Sequence, residues 1–530
     1  MDRRRFLRAS VGGMGVVALG NGLLACTTPS GPLYVPPSNG TPFTLGVMSG
    51  LHSSTEVVLW TRLDPEQVPG TGDVRWEVAT DPGLGQVVAS GTVAAGPDTD
   101  HCVKVLVGGL EPDRNHWYRF SVDGQASPVG RARTLPAAGS ATDHLRLAFA
   151  SCQNWGAGWY NAWAGIAAED VDAVVWVGDY IYESGSAINA RRADTVGSAT
   201  DLASYRAKYR LYRSDPDLQA GHAAHPFVPV WDDHEFANNW NRLDLLEDPE
   251  RGAAAFRAWF EYMPVWPIDG NRIHRSLRWG GLAELFLLDS RQHRDPQPGG
   301  EGGSYVAAGA TVVEANRPDR TLLGIAQRDW FTGGLGAAHD DGVRWKLVGN
   351  QVMITPWRIA DLDEPWRREL ASGFPRNDGI YLNLDSWSGY QAERNHILDG
   401  VARDGISNLS FLTGDVHMFW QSTLQADYDD AASPFVANEF TGGSISSTGV
   451  GVVGGGPASQ VEQLTTPWSP AFRYVDLRRN GYGVLDCTAE RMVVDYRTTS
   501  TYHRGTPVST SMRFTLADGD PIPQVEALDP

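Results

Sequence analysis

The chain has 530 residues, of which 42% are apolar and 20% charged, with 19 tryptophans; this composition excludes a disordered polymer and supplies ample material for a large core. Its 44 Lys and Arg against 63 Asp and Glu leave a net charge of −19, and the summed field of such a chain repels nucleic acid unless a local basic patch opposes it. The length exceeds the usual single-domain range and predicts one small and one large domain.

Residues 1–28 read as an export signal. "DRRRFLRAS" resembles a twin-arginine signal, with Arg3 and Arg4 as the pair, followed by an apolar stretch over 11–25 that is too short to span a bilayer comfortably. An ordinary secretory signal is the alternative. "LLAC" is similar to a lipoprotein cleavage site, which would make Cys26 a lipidated, membrane-attached N-terminus; cleavage without a lipid is the competing reading. Twin-arginine export carries folded proteins, which suits an enzyme loaded with its cofactor before it crosses. The mature protein is expected as a monomer in the periplasm, at the cell surface or secreted. No later run has the ~20 uninterrupted apolar residues of a membrane span. Beyond Cys26 remain Cys102, Cys152 and Cys487, an odd number. Cys102 with Cys487 is a candidate disulfide, and Cys152 is the remainder.

A Pro/Gly/Ser linker occupies 29–42. Residues 43–136 read as a small β-sandwich, from the short alternating runs "EVVLWTRL", "VRWEVAT", "CVKVLVGGL" and "HWYRFSVDG". "GGLEPDRNHWYRF" resembles the tyrosine-bearing turn of fibronectin-type modules. A second linker covers 137–144. From 145 to 515 strands alternate with longer, partly helical segments, the signature of α/β layering. A helix is predicted over 201–212 with Asp201 as N-cap, and its Arg206, Lys208, Arg210 and Arg213 read as a solvated basic face. The Gly-rich stretch 299–317 reads as surface loop. "YGVLDCTAERMVVDYRTTS" reads as two strands and a turn, and 516–530 as a C-terminal tail.

Six apolar runs in the large domain end in side chains that bind metal or phosphate. "LRLAFASCQN" ends at Cys152, "AVVWVGDYIYE" at Asp179 with Tyr182, and "HPFVPVWDDHE" at Asp232, Asp233 and His234. "AELFLLDSRQ" ends at Asp289 and Arg291, "VRWKLVGNQ" at Asn350, and "NLSFLTGDVH" at Asp415 and His417. If these runs lie in one pair of packed sheets, their ends share a rim, where open α/β sheets hold ligands. Buried carboxylates, a thiol and a phenol crowded there would titrate rather than stay charged, unless cations neutralise them. Thiolate and phenolate suit one kind of ion; carboxylate and amide oxygens suit a harder divalent one.

The motifs "FTLGVMSG" with "VVLWTRL", "ASCQN", "GDYIYE", "YRSDPDLQAGHAAHPFVPVWDDHEFANNW", "LDSRQHRD", "GNQVM" and "TGDVH" resemble the alkaline phosphatase D family of metallophosphatases over nearly the whole chain. The resemblance implies an α/β metallophosphatase-type four-layer sandwich, two facing β-sheets flanked by helices, preceded by a small fibronectin/Ig-like β-sandwich. It implies Fe3+ held by Cys152, Asp179, Tyr182 and His417, with Asp179 as bridge. One or two Ca2+ ions would be held by Asp233, Asn350 and Asp415, and a slip of one residue would promote Asp232. His234 would stand beside the scissile phosphate as the catalytic residue, with Glu235 as its orienter or a solvated charge. Arg291 would bind substrate, with a structural ion pair to Asp289 as the alternative. "SWSGY" at 386–390 departs from the family in having Ser388 where Asp is common, which bears on specificity.

The implied activity is hydrolysis of phosphomonoesters, and also phosphodiesters, by metal-activated hydroxide attack on phosphorus. The implied partners are small organic phosphates, not nucleic-acid polymers. A phospholipase D-like phosphodiesterase is the alternative, and a non-catalytic lipid-anchored binding protein a further one.

Overall fold

The computed structural model describes residues 40–185, 190–299, 306–307, 310–359, 380–430, 432–449 and 471–528. The stretch read as an export signal, with Cys26, lies outside the described residues. The strands are β1 (Val47–Leu51), β2 (Val57–Arg62), β3 (Gly72–Ala79), β4 (Val87–Ala95), β5 (Cys102–Val107), β6 (Asn115–Val122), β7 (Gln125–Ala126), β8 (Gly130–Arg133), β9 (Leu145–Ala150), β10 (Ala173–Val177), β11 (Phe227–Val230), β12 (Arg275–Trp279) and β13 (Ala283–Leu287). Then follow β14 (Val306–Ala307), β15 (Trp345–Asn350), β16 (Arg358–Ile359), β17 (Ile380–Leu382), β18 (Leu409–Thr413), β19 (Phe419–Gln425), β20 (Phe435–Gly442), β21 (Phe472–Asp476), β22 (Asn480–Cys487), β23 (Arg491–Thr499), β24 (Ser509–Ala517) and β25 (Gln524–Ala527).

Every one of the six apolar runs is a strand. β9, β10 and β11 are adjacent and parallel at the centre of a ten-stranded sheet ordered β25-β24-β23-β22-β9-β10-β11-β1-β2-β5. β13, β15 and β18 are adjacent and parallel in a seven-stranded sheet ordered β12-β13-β15-β18-β20-β19-β21. The runs are continuously apolar because such strands are covered on both faces; β10, for instance, is buried at all five positions. The two sheets face each other across a shared core, with Phe419 and Tyr496 ring centroids 4.8 Å apart and Phe440 and Phe514 5.8 Å apart. Trp163 and Ile166 of helix α1 (Asn161–Ala168) belong to that core. Phe286 of β13 and Phe411 of β18 instead pack with Phe331 and Leu335, and with Ile397 and Leu398 of the helix Gln391–Arg403, in a second cluster.

The strands of 43–136 pack as two layers, one of which is shared with the large domain. The other, β4-β3-β6-β7 with β8 paired to β6, packs on β1, β2 and β5 through Val47, Leu59, Val78 and Phe120. Yet β1 also pairs in parallel with β11, so that half of the sandwich continues the large sheet. The alternation in the sequence shows that these strands are half-buried, but not which strand lies beyond the next turn. The residues read as a C-terminal tail likewise contribute β25, which edges the same sheet. "YGVLDCTAERMVVDYRTTS" does form two paired strands, β22 and β23. Within 299–317, the described residues include β14 and a helix over Ala310–Ala315 rather than loop alone.

Helix α2 (Leu202–Arg213) starts where expected, with the Asp201 side chain accepting from Ser204 N at 2.8 Å. Its basic face is not solvated. Lys208 and Arg213 have no exposed surface; Lys208 pairs with Asp194, and Arg213 lies 3.8 Å over the Trp60 ring. Arg206 forks Glu261 at 2.6 and 2.7 Å. Arg210 pairs with Asp100 at 2.5 Å. Each partner lies on a distant segment, so a helix-local reading sees the cations and not their counter-ions.

Cys102, Cys152 and Cys487 are buried free thiols, and the candidate Cys102–Cys487 disulfide does not form. Cys102 lies on β5 and Cys487 on β22, with five strands between them, a separation of roughly 29 Å at ordinary strand spacing against the ~7 Å a disulfide bridges.

Candidate metal centre

Because β9, β10 and β11 run parallel in one sheet and β13, β15 and β18 run parallel in the other, three strand ends from each sheet deliver side chains to one edge. The turns that follow are unusual. Cys152, Asp179, Asp415 and His417 have φ of 60°, 59°, 64° and 55°, the left-handed region that costs a non-glycine residue about 1–2 kcal/mol. Such strain persists only where the surroundings impose it, and it collects at functional sites. Gly178, at φ 107°, lets the β10 and β11 ends meet: a Cβ there would stand 2.2 Å from Asp232 Cβ. Cys152 N donates to Gly178 O at 3.1 Å, which joins the first turn to the second.

Three donor groups result. Ligand atoms of Cys152, Asp179 and His417 lie within 4.8 Å of one another, as do those of Asp179, Asp233 and His234, and those of Asp232, Asp233 and Asp415. Asp179 belongs to the first two groups and Asp233 to the last two, so the set is continuous. The Tyr182 hydroxyl lies 2.8 Å from Asp179 Oδ2 and 2.9 Å from His417 Nε2. Ser447 Oγ lies 2.7 Å from that hydroxyl and 2.9 Å from Cys152 O. His417 Nδ1 faces Thr448 O at 3.2 Å, which places its proton on Nδ1 and leaves Nε2 with a lone pair toward the cluster.

The charges conflict as the sequence suggests. Burial, then the Asp179 charge, pushes the Cys152 thiol and the Tyr182 phenol up. Burial raises Asp232 well above the usual carboxylate range, reinforced by Asp233, Asp179 and Asp415 against the pull of Arg291. Asp415 is pushed up to about 7 by burial and by Asp385. Asp233 moves the other way: burial opposes ionisation, but His234, Arg291 and the Asn239 N–H at 2.8 Å outweigh it. His234 is raised despite burial by Asp233, Asp179 and Glu183, so its imidazolium is favoured. Its Nδ1 lies 2.7 Å from Glu183 Oε2, and its ring centroid is 4.1 Å from that of Tyr182.

Asp232 Oδ2 and Asp233 Oδ1 are buried with no hydrogen-bond partner. Orphaned, buried carboxylate oxygens beside a thiol, a phenol and an imidazole are the donor set of a cation site, and the residues fit one. Asp232 and Asp233 each keep one free oxygen, since Arg291 Nε holds Asp232 Oδ1 and Asn239 N holds Asp233 Oδ2.

Other expectations change. Asn350 ends β15 as read, but its amide donates to Val352 O at 2.5 Å and to Thr413 Oγ1 at 3.2 Å and accepts from Trp387 Nε1 at 3.3 Å. Arg291 has no exposed surface to offer a substrate. Nor does its side chain pair with Asp289, whose Oδ1 instead accepts from Arg291 N and Gln292 N, both at 3.1 Å. Glu235 is neither solvated nor the partner of His234: it is buried and accepts from Asp179 N at 3.1 Å, Tyr180 N at 2.6 Å and Asp232 N at 2.9 Å. Glu183 is the orienter, and it also holds Asn238 N at 3.2 Å. Glu183, Asp385 and Ser447 escaped the sequence reading. Ser447 lies beyond the Gly442-Gly443-Ser444 ending of β20, a seventh run that drew no attention in the sequence; the other two carry no signal beyond their neighbours in the motifs.

The chain matches the model of the PhoD-like phosphatase family over residues 147–496 and that of the PhoD-like phosphatase N-terminal domain over residues 29–136. It is 34% identical over 523 residues to alkaline phosphatase D of Bacillus subtilis (strain 168), covering 94% of this chain and 84% of that protein. A solved structure described as that of PhoD superimposes with a TM-score of 0.81 at 31% identity, covering 93% of this chain and 94% of the other. With the strand ends, the strained turns and the two matched regions in agreement, this chain belongs to the PhoD-like phosphatase family.

Proposed function

We propose that this phosphoric ester hydrolase is exported and acts on small phosphomonoesters and phosphodiesters, using ferric iron held by Cys152, Asp179, Tyr182 and His417. Calcium, as one or two ions, would be held by Asp233, Asn350 and Asp415, with Asp232 as the alternative to Asp233; Asn350 Oδ1 accepts from Trp387 Nε1 at 3.3 Å and keeps a second lone pair for an ion. Convergence of these residues from β9, β10, β11 and β18, with four of them in left-handed turns, carries the reading. The wider architecture is proposed as a four-layer sandwich, with 1–28 as a twin-arginine signal, 29–42 and 137–144 as linkers, and Cys26 as the lipid attachment point.

Bound cations supply Lewis acidity, lowering the pKa of water and drawing charge from phosphoryl oxygens. The chain's own residues do the rest. Asp179 receives the Tyr182 hydroxyl and the His234 N–H, at 2.8 and 3.3 Å, and so ties the two halves of the centre together. Glu183 fixes the His234 ring through Nδ1, which leaves Nε2–H of the imidazolium as the proton donor to the departing alkoxide. His234→Asn should therefore lower turnover of an alkyl phosphate by roughly 10²–10³-fold and of p-nitrophenyl phosphate by much less, because nitrophenolate departs without a proton. Equal losses on both substrates would show that His234 does not act as the acid.

Elemental analysis of protein purified from its exported form tests the metal assignment. Thiolate and phenolate on ferric iron absorb visible light; a colourless, iron-free and fully active preparation would refute iron.

A further inference from the structure

We propose that Arg291 is a positioning residue, a resident cation that holds the acidic half of the centre in place, rather than a contact to substrate. It follows β13 and is wholly buried. Its Nε bonds Asp232 Oδ1 and its Nη1 donates to Asp385 Oδ2 at 2.8 Å. Its Nη2 has no hydrogen-bond partner and lies 3.5 Å from Asp415 Oδ1 and 3.9 Å from Asp233 Oδ1. One planar guanidinium therefore faces all three carboxylates of the third donor group, while Asp232 Oδ2 and Asp233 Oδ1 keep no hydrogen-bond partner and remain to offer a cation. The anchor is built too. Asp385, nearly buried, takes Arg294 Nη2 on Oδ1 at 2.6 Å, and its backbone oxygen takes Arg294 Nη1 at 3.1 Å.

A fixed positive charge at this place has two consequences. It lowers the repulsion among Asp232, Asp233 and Asp415 while no other cation is present, so the carboxylates stay gathered and ready. It also constrains their orientation, which a point charge cannot do: Lys offers no fork able to reach Asp232 and Asp385 together. Enclosure on every side excludes the alternative role, since a substrate oxygen cannot approach a group with no surface.

The inference rests on the reading that the centre holds cations, and the test separates the two. Arg291→Lys and Asp385→Asn are made in the full chain alongside wild type. Metal content, kcat and KM for p-nitrophenyl phosphate are measured before and after dialysis against EDTA. Arg291→Lys is expected to retain at least tenfold less metal after dialysis, with kcat falling in proportion to the metal lost and KM within about twofold of wild type. Asp385→Asn should shift the same way by a few-fold, and it decides the matter if Arg291→Lys does not fold. Variants that keep wild-type metal and chelator resistance while KM rises tenfold would make Arg291 a substrate contact and overturn the proposal. So would variants unchanged in every readout. Wild-type protein that binds no metal at all would overturn the cation reading itself, and the proposal with it.

Discussion

Asp179→Ala should leave essentially no turnover, a loss of ~10⁴-fold or more, together with loss of bound metal, while the protein stays folded. Asp179 is shared by two of the three donor groups, so its removal disconnects the thiol and imidazole side from the carboxylate side. Two opposing effects act on the fold and largely offset each other. Alanine at φ 59° keeps the left-handed strain without the local hydrogen bonds that offset it, a cost of about 1–2 kcal/mol. Against this, the Asp179 charge raises Cys152, Tyr182, Asp232 and Glu235, so its loss relieves repulsion in the cation-free protein. Turnover, elemental analysis and circular dichroism on one preparation check all three statements, and an active, metal-replete Asp179→Ala protein would refute the bridge.

Glu235→Ala should be the most damaging single change to stability at the site, roughly 3–6 kcal/mol. One carboxylate there satisfies the N–H groups of Asp179, Tyr180 and Asp232, which belong to the turns after two different strands. Each buried donor left unpaired costs about 1–3 kcal/mol. Burial and the neighbouring Asp179 push the Glu235 carboxyl up to about 8 against the pull of those three donors, so the group is held by geometry and not by a counter-charge. Glu235→Gln keeps one acceptor oxygen and should lose less, though its amide N–H₂ must face a backbone N–H. Urea unfolding measures the difference, and a Glu235→Ala midpoint matching wild type would mean that water replaces the carboxylate.

The parallel strands are legible in the amino-acid order because a short, continuously apolar run closed by a polar residue is too brief for a buried helix and too apolar for a half-exposed strand. "VVWVGDYIYE" shows both the buried strand and the carboxylate after it, and the same holds for Cys152, Asp233, Asp415 and His417. The N-cap at Asp201 is legible for a similar reason, since capping is settled within four residues. The buried basic face of α2 is not, because Asp194, Asp100 and Glu261 reach it from other segments.

By itself, the amino-acid order determined which segments are strands, which residues stand at their ends, and hence which chemistry the rim could hold. Only the tertiary structure decided the roles at one remove: Glu183 behind His234, Glu235 beneath three N–H groups, Arg291 among the aspartates, and a β1 that belongs to two cores at once. The physical reason is range. Apolar periodicity and turn chemistry act over a handful of neighbouring residues, whereas a buried charge takes its partner from whichever strand the sheet order places beside it.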